Sequence, residues 1–306
     1  MANTNVTTVL TQEMETYYEK VFLDRAKVQI VNAQGAVKRT HPGNSGRTIN
    51  FTRQAPLAIS TTPLDEATNP SACVITASTV SVTLSEYGAA TIHSKLLSLT
   101  SIDIGMKEVI DSFGQNMGET INAIDGGTLA CGTAFFPNSH NVSNVTTGDV
   151  LDASAIIYAV QAQELAKALP YSDGFFLGKT TIQNKVSLLK DTTWINSKTY
   201  SDVKKLYKGE MGELYQVRWL LNGQTASGLG NTGAAACTSV CYYSYVHGKN
   251  AFGTVDLEGD MPKLYIVTKA DSNNAAGRAT YISWAGTYAS LLLNSNWVQT
   301  IKAVAV

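Results

Sequence analysis

Charge is scarce in this chain: Asp, Glu, Lys and Arg make up only 15% of its 306 residues, against 44% hydrophobic residues. So little charge is unusual for a free-standing enzyme and fits a subunit that hides much of its surface against partners. The 23 basic residues are balanced by 24 acidic ones, giving a net charge of −1, and no block of five or six like charges occurs. A global basic field is thereby excluded, and with it sequence-directed DNA binding as the main task. Cysteine is also sparse. Cys73, Cys131, Cys237 and Cys241 are too few and too scattered for a secreted disulfide scaffold, which would be smaller and denser in Cys. No apolar run approaches the roughly 18 residues of a membrane-crossing helix. Met1-Ala2-Asn3-Thr4 opens a polar segment with no basic start, so no signal peptide is expected.

What is present is an unusual order of elements in a chain long enough for two lobes. Residues 11–30, with Tyr17, Tyr18, Phe22 and Leu23, predict a short helix running into an extended segment that reaches Thr40. Pro42-Gly43-Asn44-Ser45-Gly46 breaks the chain. An outgoing strand, Arg47–Arg53, then meets a tip, Pro63-Leu64-Asp65-Glu66-Ala67-Thr68-Asn69-Pro70, and returns through Val74–Thr76 and Val80–Leu84. β-Branched residues with partial alternation mark both runs as half-buried strands. A hairpin of this length cannot bury both faces on its own subunit. Glu86–His93 continues as a strand toward the body.

From Ser101 the period lengthens. Ile102, Met106, Val109, Phe113, Met117, Ile121, Ile124 and Thr128 advance by threes and fours, the stripe of a helix of about 28 residues and about 42 Å. Asn122 and Asp125 fall off that stripe, and Gly114 and Gly118 lie inside the helix, which admits either simple tolerance or close approach by another backbone. Asp152 predicts the N-cap of a helix over Ala153–Leu169 that Pro170 stops. Further strands are expected at Gly174–Gly178, Glu213–Leu221, Val240–Val246, Leu264–Thr268 and within Arg278–Ala303, with a helix at Thr180–Lys190. The class is α+β, because strand and helix alternate too irregularly for a doubly wound sheet.

Chemical motifs are weak. Gly228-Leu229-Gly230-Asn231-Thr232-Gly233 matches a dinucleotide-binding fingerprint, yet Tyr-rich strand follows it, and Lys249-Asn250 stands where an acid is wanted. Cys237 and Cys241 with His247 lack the fourth ligand of a structural zinc site, and alternation places both cysteines on one face of a strand. His41, His93, His140 and His247 are isolated, and no nucleophile, base and oxyanion donors assemble. Catalytic, cofactor and metal residues are therefore expected to be none, and the protein is expected not to be an enzyme.

Arg47 through Glu86-Tyr87-Gly88, with Pro63–Pro70 at the turn, resembles the major capsid proteins of tailed bacteriophages. The group typified by coliphage N-four, with the Hong Kong 97-type fold, is the most similar. Tyr245–Gly253, Gly277–Ala285 and Leu292–Val298 resemble later motifs of that family in the right order. Ala67 stands where Gly is common, Ala285 where Lys is usual, and 222–238 looks like an insertion.

The resemblance implies an N-terminal arm at 1–41 and an extended loop at 42–85, lying over a neighbour. It further implies a peripheral domain from 86–150, with a spine helix at 102–130, and from 253–306, and an axial domain at 151–252. Arg53, Pro63, Leu64, Asp65, Glu66 and Pro70 would make inter-subunit contacts at the loop and its tip. Hinges are expected near Pro42–Gly46 and Glu86–Gly88. The implied function is a shell of pentamers and hexamers enclosing double-stranded DNA, in the virion, assembled in the bacterial cytoplasm. Implied partners are further copies of itself, a separate scaffolding protein (the chain begins at Met1), a portal, a decoration protein and non-specifically contacted DNA, with no membrane. The alternatives are another phage structural module, such as a tail, decoration or surface-array protein, and a nucleotide-dependent oxidoreductase resting on the glycine loop.

Overall fold

The computed structural model describes residues 7–54, 57, 59–61, 63, 66, 69, 72–94, 106–139, 146, 148–191, 210–223, 241–267 and 278–304, the side chains of 7–15 and 210–211 aside. Its organising element is a 25-residue helix, α2 (Met106–Ala130), about 37 Å long. Helix α1 (Thr7–Gln29) lies against it. The two glycines in α2 mark the crossing. A Cβ on Gly114 would stand 2.5 Å from the Phe22 carbonyl oxygen, and one on Gly118 would stand 2.6 Å from that of Ala26. Close backbone approach is thus the reason for both glycines. Phe22, Ala26, Ile110, Met117 and Ile121 close the seam between the helices. Helix α1 packs along α2 because Phe22 and Ala26 find their apolar partners there. It is anchored again by strand β1 (Val37–His41), which pairs in parallel with β10 (Phe252–Leu257).

Two sheets flank the helix pair. The five-stranded sheet is centred on the 14-residue strand β12 (Ala279–Leu292), which pairs with β4 (Ser85–Ser94), β10 and β11 (Lys263–Val267). Alternation divides the faces of β12. Ile282, Trp284 and Tyr288 are buried, Trp284 and Tyr288 in the cluster with α1 and α2, whereas Ala289 and Leu291 face Phe51 and Leu84. The six-stranded sheet has the order β5-β13-β9-β6-β8-β7, built from β5 (Thr133–Phe135), β6 (Phe176–Thr181), β7 (Glu210–Leu214), β8 (Val217–Asn222), β9 (Cys241–His247) and β13 (Val298–Val304). Trp219, Val246, Ile301 and Ala303 pack on α3 (Ala153–Leu165), while Tyr243, Tyr245 and Val298 meet Leu129 at the end of α2. Helix α4 (Ile182–Lys190) follows β6 directly. The expected peripheral segments 86–150 and 253–306 each send one strand, β5 and β13, into this second sheet.

The α+β class and most elements match expectation; four details differ. Helix α3 is capped by Asp152, whose side chain accepts from the Ala155 amide, but it ends at Leu165 rather than Leu169. Lys167 takes a left-handed φ of 52° while the Lys167 and Ala168 amides donate to the Glu164 and Gln163 carbonyls, a Schellman stop made without glycine. The single strand expected over Glu213–Leu221 is a hairpin, β7–β8, turning at Tyr215 and Gln216, both of positive φ. A two-residue loop with both residues left-handed normally signals itself by Asn-Gly, and Tyr-Gln concealed it. Glu86–Gly88 is not a hinge, since these residues pair with Thr287, Gly286 and Ala285 inside the β4–β12 ladder. The buried side of α2 also includes Asn122 and Asp125, which hydrophobic periodicity placed off the stripe.

Because the helix crossing leaves no space for a methyl group, Gly114→Ala and Gly118→Ala are each expected to destabilise by about 1–3 kcal/mol. In an exposed helix the same change would stabilise by about 1 kcal/mol. Chemical denaturation reads the sign directly, and stabilisation would refute the close-approach explanation.

Candidate functional site: an uncovered ribbon and a buried lysine

Strands β2 (Thr48–Gln54) and β3 (Ala77–Thr83) pair only with each other, from Thr48 opposite Thr83 to Gln54 opposite Ala77. The ladder has 7 pairs, so it extends about 23 Å. Its root is fixed to the body. Phe51 is buried among Leu84, Val255, Ala289 and Leu291, with the Arg39 guanidinium 4.4 Å above its ring. The Leu84 amide donates to the Arg47 carbonyl at 2.9 Å, and Arg47 Nη2 donates to the Leu84 carbonyl at 3.0 Å. Beyond the root the described residues of the ribbon are exposed. Ile59 and Val74 are 80% and 86% exposed, and Leu57 and Ile75 are exposed as well. Of the residues expected at inter-subunit contacts, Arg53, next to last in β2, is exposed, as are Pro63 and Glu66. Leu64, Asp65 and Pro70 lie outside the described residues.

A second constellation lies where α1, α2 and the six-stranded sheet meet, and it was not foreseen from sequence. Three asparagines close a ring. Asn122 Oδ1 accepts from the Val31 and Asn32 amides at 3.0 and 2.7 Å, and Asn122 Nδ2 donates to Asn222 Oδ1 at 2.9 Å. Asn222 Nδ2 returns to Asn32 Oδ1 at 3.3 Å, and Asn32 Nδ2 donates to the Asn122 carbonyl at 2.9 Å. Beside the ring, fully buried Lys179 donates from Nζ to the Asn32 carbonyl at 2.6 Å and sits 4.6 Å from the centre of the Phe252 ring. Burial lowers the Lys179 pKa, offset in part by the Asp125 carboxylate. Burial raises the pKa of Asp125, while the hydrogen bond from Tyr288 and the charge of Lys179 oppose that shift. The Tyr288 hydroxyl lies 3.0 Å from both Asp125 oxygens.

His247 completes the layer. Its ring stands edge-on to Phe252 at 5.1 Å, and Nδ1 lies 3.2 Å from the Gly248 carbonyl, which can only accept. The proton therefore belongs on Nδ1, and burial together with the Lys179 charge holds the imidazole neutral. The Tyr171 hydroxyl donates to the Gly35 carbonyl at 2.9 Å, tying the turn before β1 to this strand end. The groups are hydrogen-bonded and packed against one another, so the arrangement holds α1, α2 and the six-stranded sheet together.

The other sequence motifs resolve differently. The glycine fingerprint at 228–233 and Cys237 lie outside the described residues. The strands around that segment are β8, parallel to β6, and β9, antiparallel to β6. They run in opposite directions, which a dinucleotide-binding βαβ unit does not allow. Among the described residues no cluster of three or more His, Cys, Asp or Glu could hold a metal, and no helix is long and apolar enough to cross a membrane. Cys73 and Cys131 are exposed free thiols.

Comparison with solved structures places this architecture. The capsid of the cyanophage P-SCSP1u superposes with a TM-score of 0.65 at 16% identity, over 90% of this chain and 89% of that one. The capsid of Ralstonia phage GP4 does so with a TM-score of 0.67 at 13% identity, over 90% and 89%. The head of Helicobacter pylori bacteriophage KHP40 gives 0.63 at 12% identity, again over 90% and 89%. No protein-family model and no curated protein sequence matches the chain. The fold is that of phage capsid proteins, the Hong Kong 97 type.

Two measurements probe the buried layer. Asn122→Ala leaves the Val31 and Asn32 amides without their acceptor, and is expected to cost on the order of 4 kcal/mol in denaturation. Thr120→Ala, two residues away on the less buried side of α2, should cost under about 0.5 kcal/mol. The pH dependence separates the charges. A raised Asp125 pKa stabilises the fold fully below 3.8, and that contribution is lost as pH rises through the folded value. A lowered Lys179 pKa stabilises above 10.5, and that contribution is lost as pH falls through the folded value. Asp125→Asn should therefore flatten the acid limb of the stability–pH curve relative to the parent, and Lys179→Met the alkaline limb. Parallel curves for parent and variants would refute the assignment.

Proposed function

We propose that this protein is the repeating subunit of a tailed-phage head, a major capsid protein that closes into pentamers and hexamers of an icosahedral shell around double-stranded DNA. The observation that carries the reading is the ribbon: a fixed root and exposed Leu57, Ile59, Val74 and Ile75, on a fold shared with phage capsids. Apolar β surface of that kind is stabilised by lying on another copy. Head-to-tail contacts are heterologous, and they form rings when the rotation closes. Many modest contacts then hold the particle together.

In this reading the layer built on β12 and α2 is the peripheral domain, and the six-stranded sheet with α3 and α4 is the axial domain. Exposed Ile157 and Tyr158 on α3 and Ile182 and Val186 on α4 offer apolar surface at ring centres. One chain fitting two ring sizes needs a hinge, and Pro42–Gly46 supplies it, with Asn44 and Gly46 both at positive φ between β1 and β2. A net charge of −1 suits a wall that contains DNA without gripping it. The shell would assemble in the bacterial cytoplasm with a separate scaffolding protein and a portal, and would accept a decoration protein.

Electron microscopy of the chain co-expressed with its scaffold should show round particles hundreds of ångströms wide. Replacing residues 55–76 by an Asn-Gly turn, joined where the ladder ends at Gln54 and Ala77, should leave thermal stability within a few degrees of the parent and abolish particles. Closed shells from the shortened chain would overturn the role given to the ribbon.

A further inference from the structure

The root of the ribbon borders a cleft of about 550 Å³ between the ribbon and the body. Phe51, Val80, Leu293 and Trp297 supply apolar walls, and Arg39, Arg53 and Lys167 supply three cations. None of the residues lining it is acidic. Two of the cations are held by the features that build the fold. Arg39 is stacked on Phe51, and Lys167 is turned outward by the left-handed stop of α3. The cleft is thus a preformed receptor for a short segment that is both acidic and apolar.

The tip of the ribbon is such a segment. From Ala55 to Ser94 there is no Lys or Arg, and the acids are Asp65, Glu66 and Glu86. Glu86 is committed to the β4–β12 ladder. The tip therefore presents Pro63-Leu64-Asp65-Glu66, an apolar pair followed by two carboxylates, on a ribbon otherwise free of charge beyond Arg53. Its own cleft lies at the foot of the same ribbon, so a chain docking into itself would have to reverse direction between Gln54 and Asp65.

We propose that the tip at Pro63–Glu66 of one copy docks into the ribbon-root cleft of another, Leu64 entering the apolar floor while Asp65 and Glu66 pair with Arg53 and Lys167. The inference rests on the shell reading above and specifies its contact. Each copy carries one tip and one cleft, so the contact is head-to-tail and propagates around a ring. Charge complementarity also sets the register, because a tip displaced along the body loses both pairs.

The test is charge reversal with rescue in the full chain, co-expressed with scaffold and scored as particle yield. Asp65→Lys/Glu66→Lys, and separately Arg53→Glu/Lys167→Glu, are each expected to lower the yield on the order of tenfold or more. Combining all four changes should restore it, while thermal melts of the unassembled chains stay together. A second measurement removes dependence on yield. In a Cys73→Ser/Cys131→Ser background, chains carrying Glu66→Cys are co-assembled with chains carrying Lys167→Cys and oxidised. A disulfide-linked dimer on a non-reducing gel is expected. Parent particles together with undiminished yield from either reversed variant would overturn the docking and leave the shell reading standing. So would a cross-link that forms only within one chain carrying both cysteines. Absence of parent particles would overturn the shell reading and the docking with it.

Discussion

The ring of Asn32, Asn122 and Asn222 is where this structure is held together across its parts. Asn32 follows α1, Asn122 sits in the middle of α2, and Asn222 ends β8, so three segments about 100 residues apart along the chain share one hydrogen-bond circuit. A buried amide without a partner costs about 1–3 kcal/mol, and each member of the ring supplies partners to the others. Lys179 adds its donor to the Asn32 carbonyl from the neighbouring strand β6. Apolar packing alone would let the helix pair slide along the sheet. The directional circuit fixes its register, and everything carried by α2 inherits that position.

Once α2 is placed, it determines how far the two sheets stand apart. Ile110 and Met117 pack on β12 near one end, and Leu129 reaches the six-stranded sheet at the other. The ribbon grows from the opposite face of β12 through Phe51 and Leu84. A rigid body therefore carries an element that it does not cover. That division agrees with the low charge of the chain, because surface destined for other copies can remain uncharged without being buried at home.

Local signals that act within a turn or two were legible in the sequence. The Asp152 cap, the long 3.6-residue period of α2 and the alternation in β12 each arise from neighbouring residues and were found where expected. Non-local determinants were not. Asn122 and Asp125 read as solvent-facing because no short-range pattern reports that Asn32 and Tyr288 will meet them. Lys179 lies in an apolar strand between Gly178 and Thr180, and a lone lysine there gives no hint of its burial. The helix before Thr40 was legible, but not its place, because its apolar residues have their partners on a helix about 90 residues later.

The sequence by itself determined the element order, the α+β class, the exposed two-stranded ribbon and, through motif order, the resemblance to phage capsids. The first three follow from periodicity and turn chemistry, which are written in consecutive residues. Only the tertiary structure decided that Gly114 and Gly118 mark a helix crossing, that the first helix packs on α2, and that Arg39, Arg53 and Lys167 face one cleft. Each of those outcomes depends on distances between segments far apart in the chain, and such distances are set by packing rather than by local conformational preference.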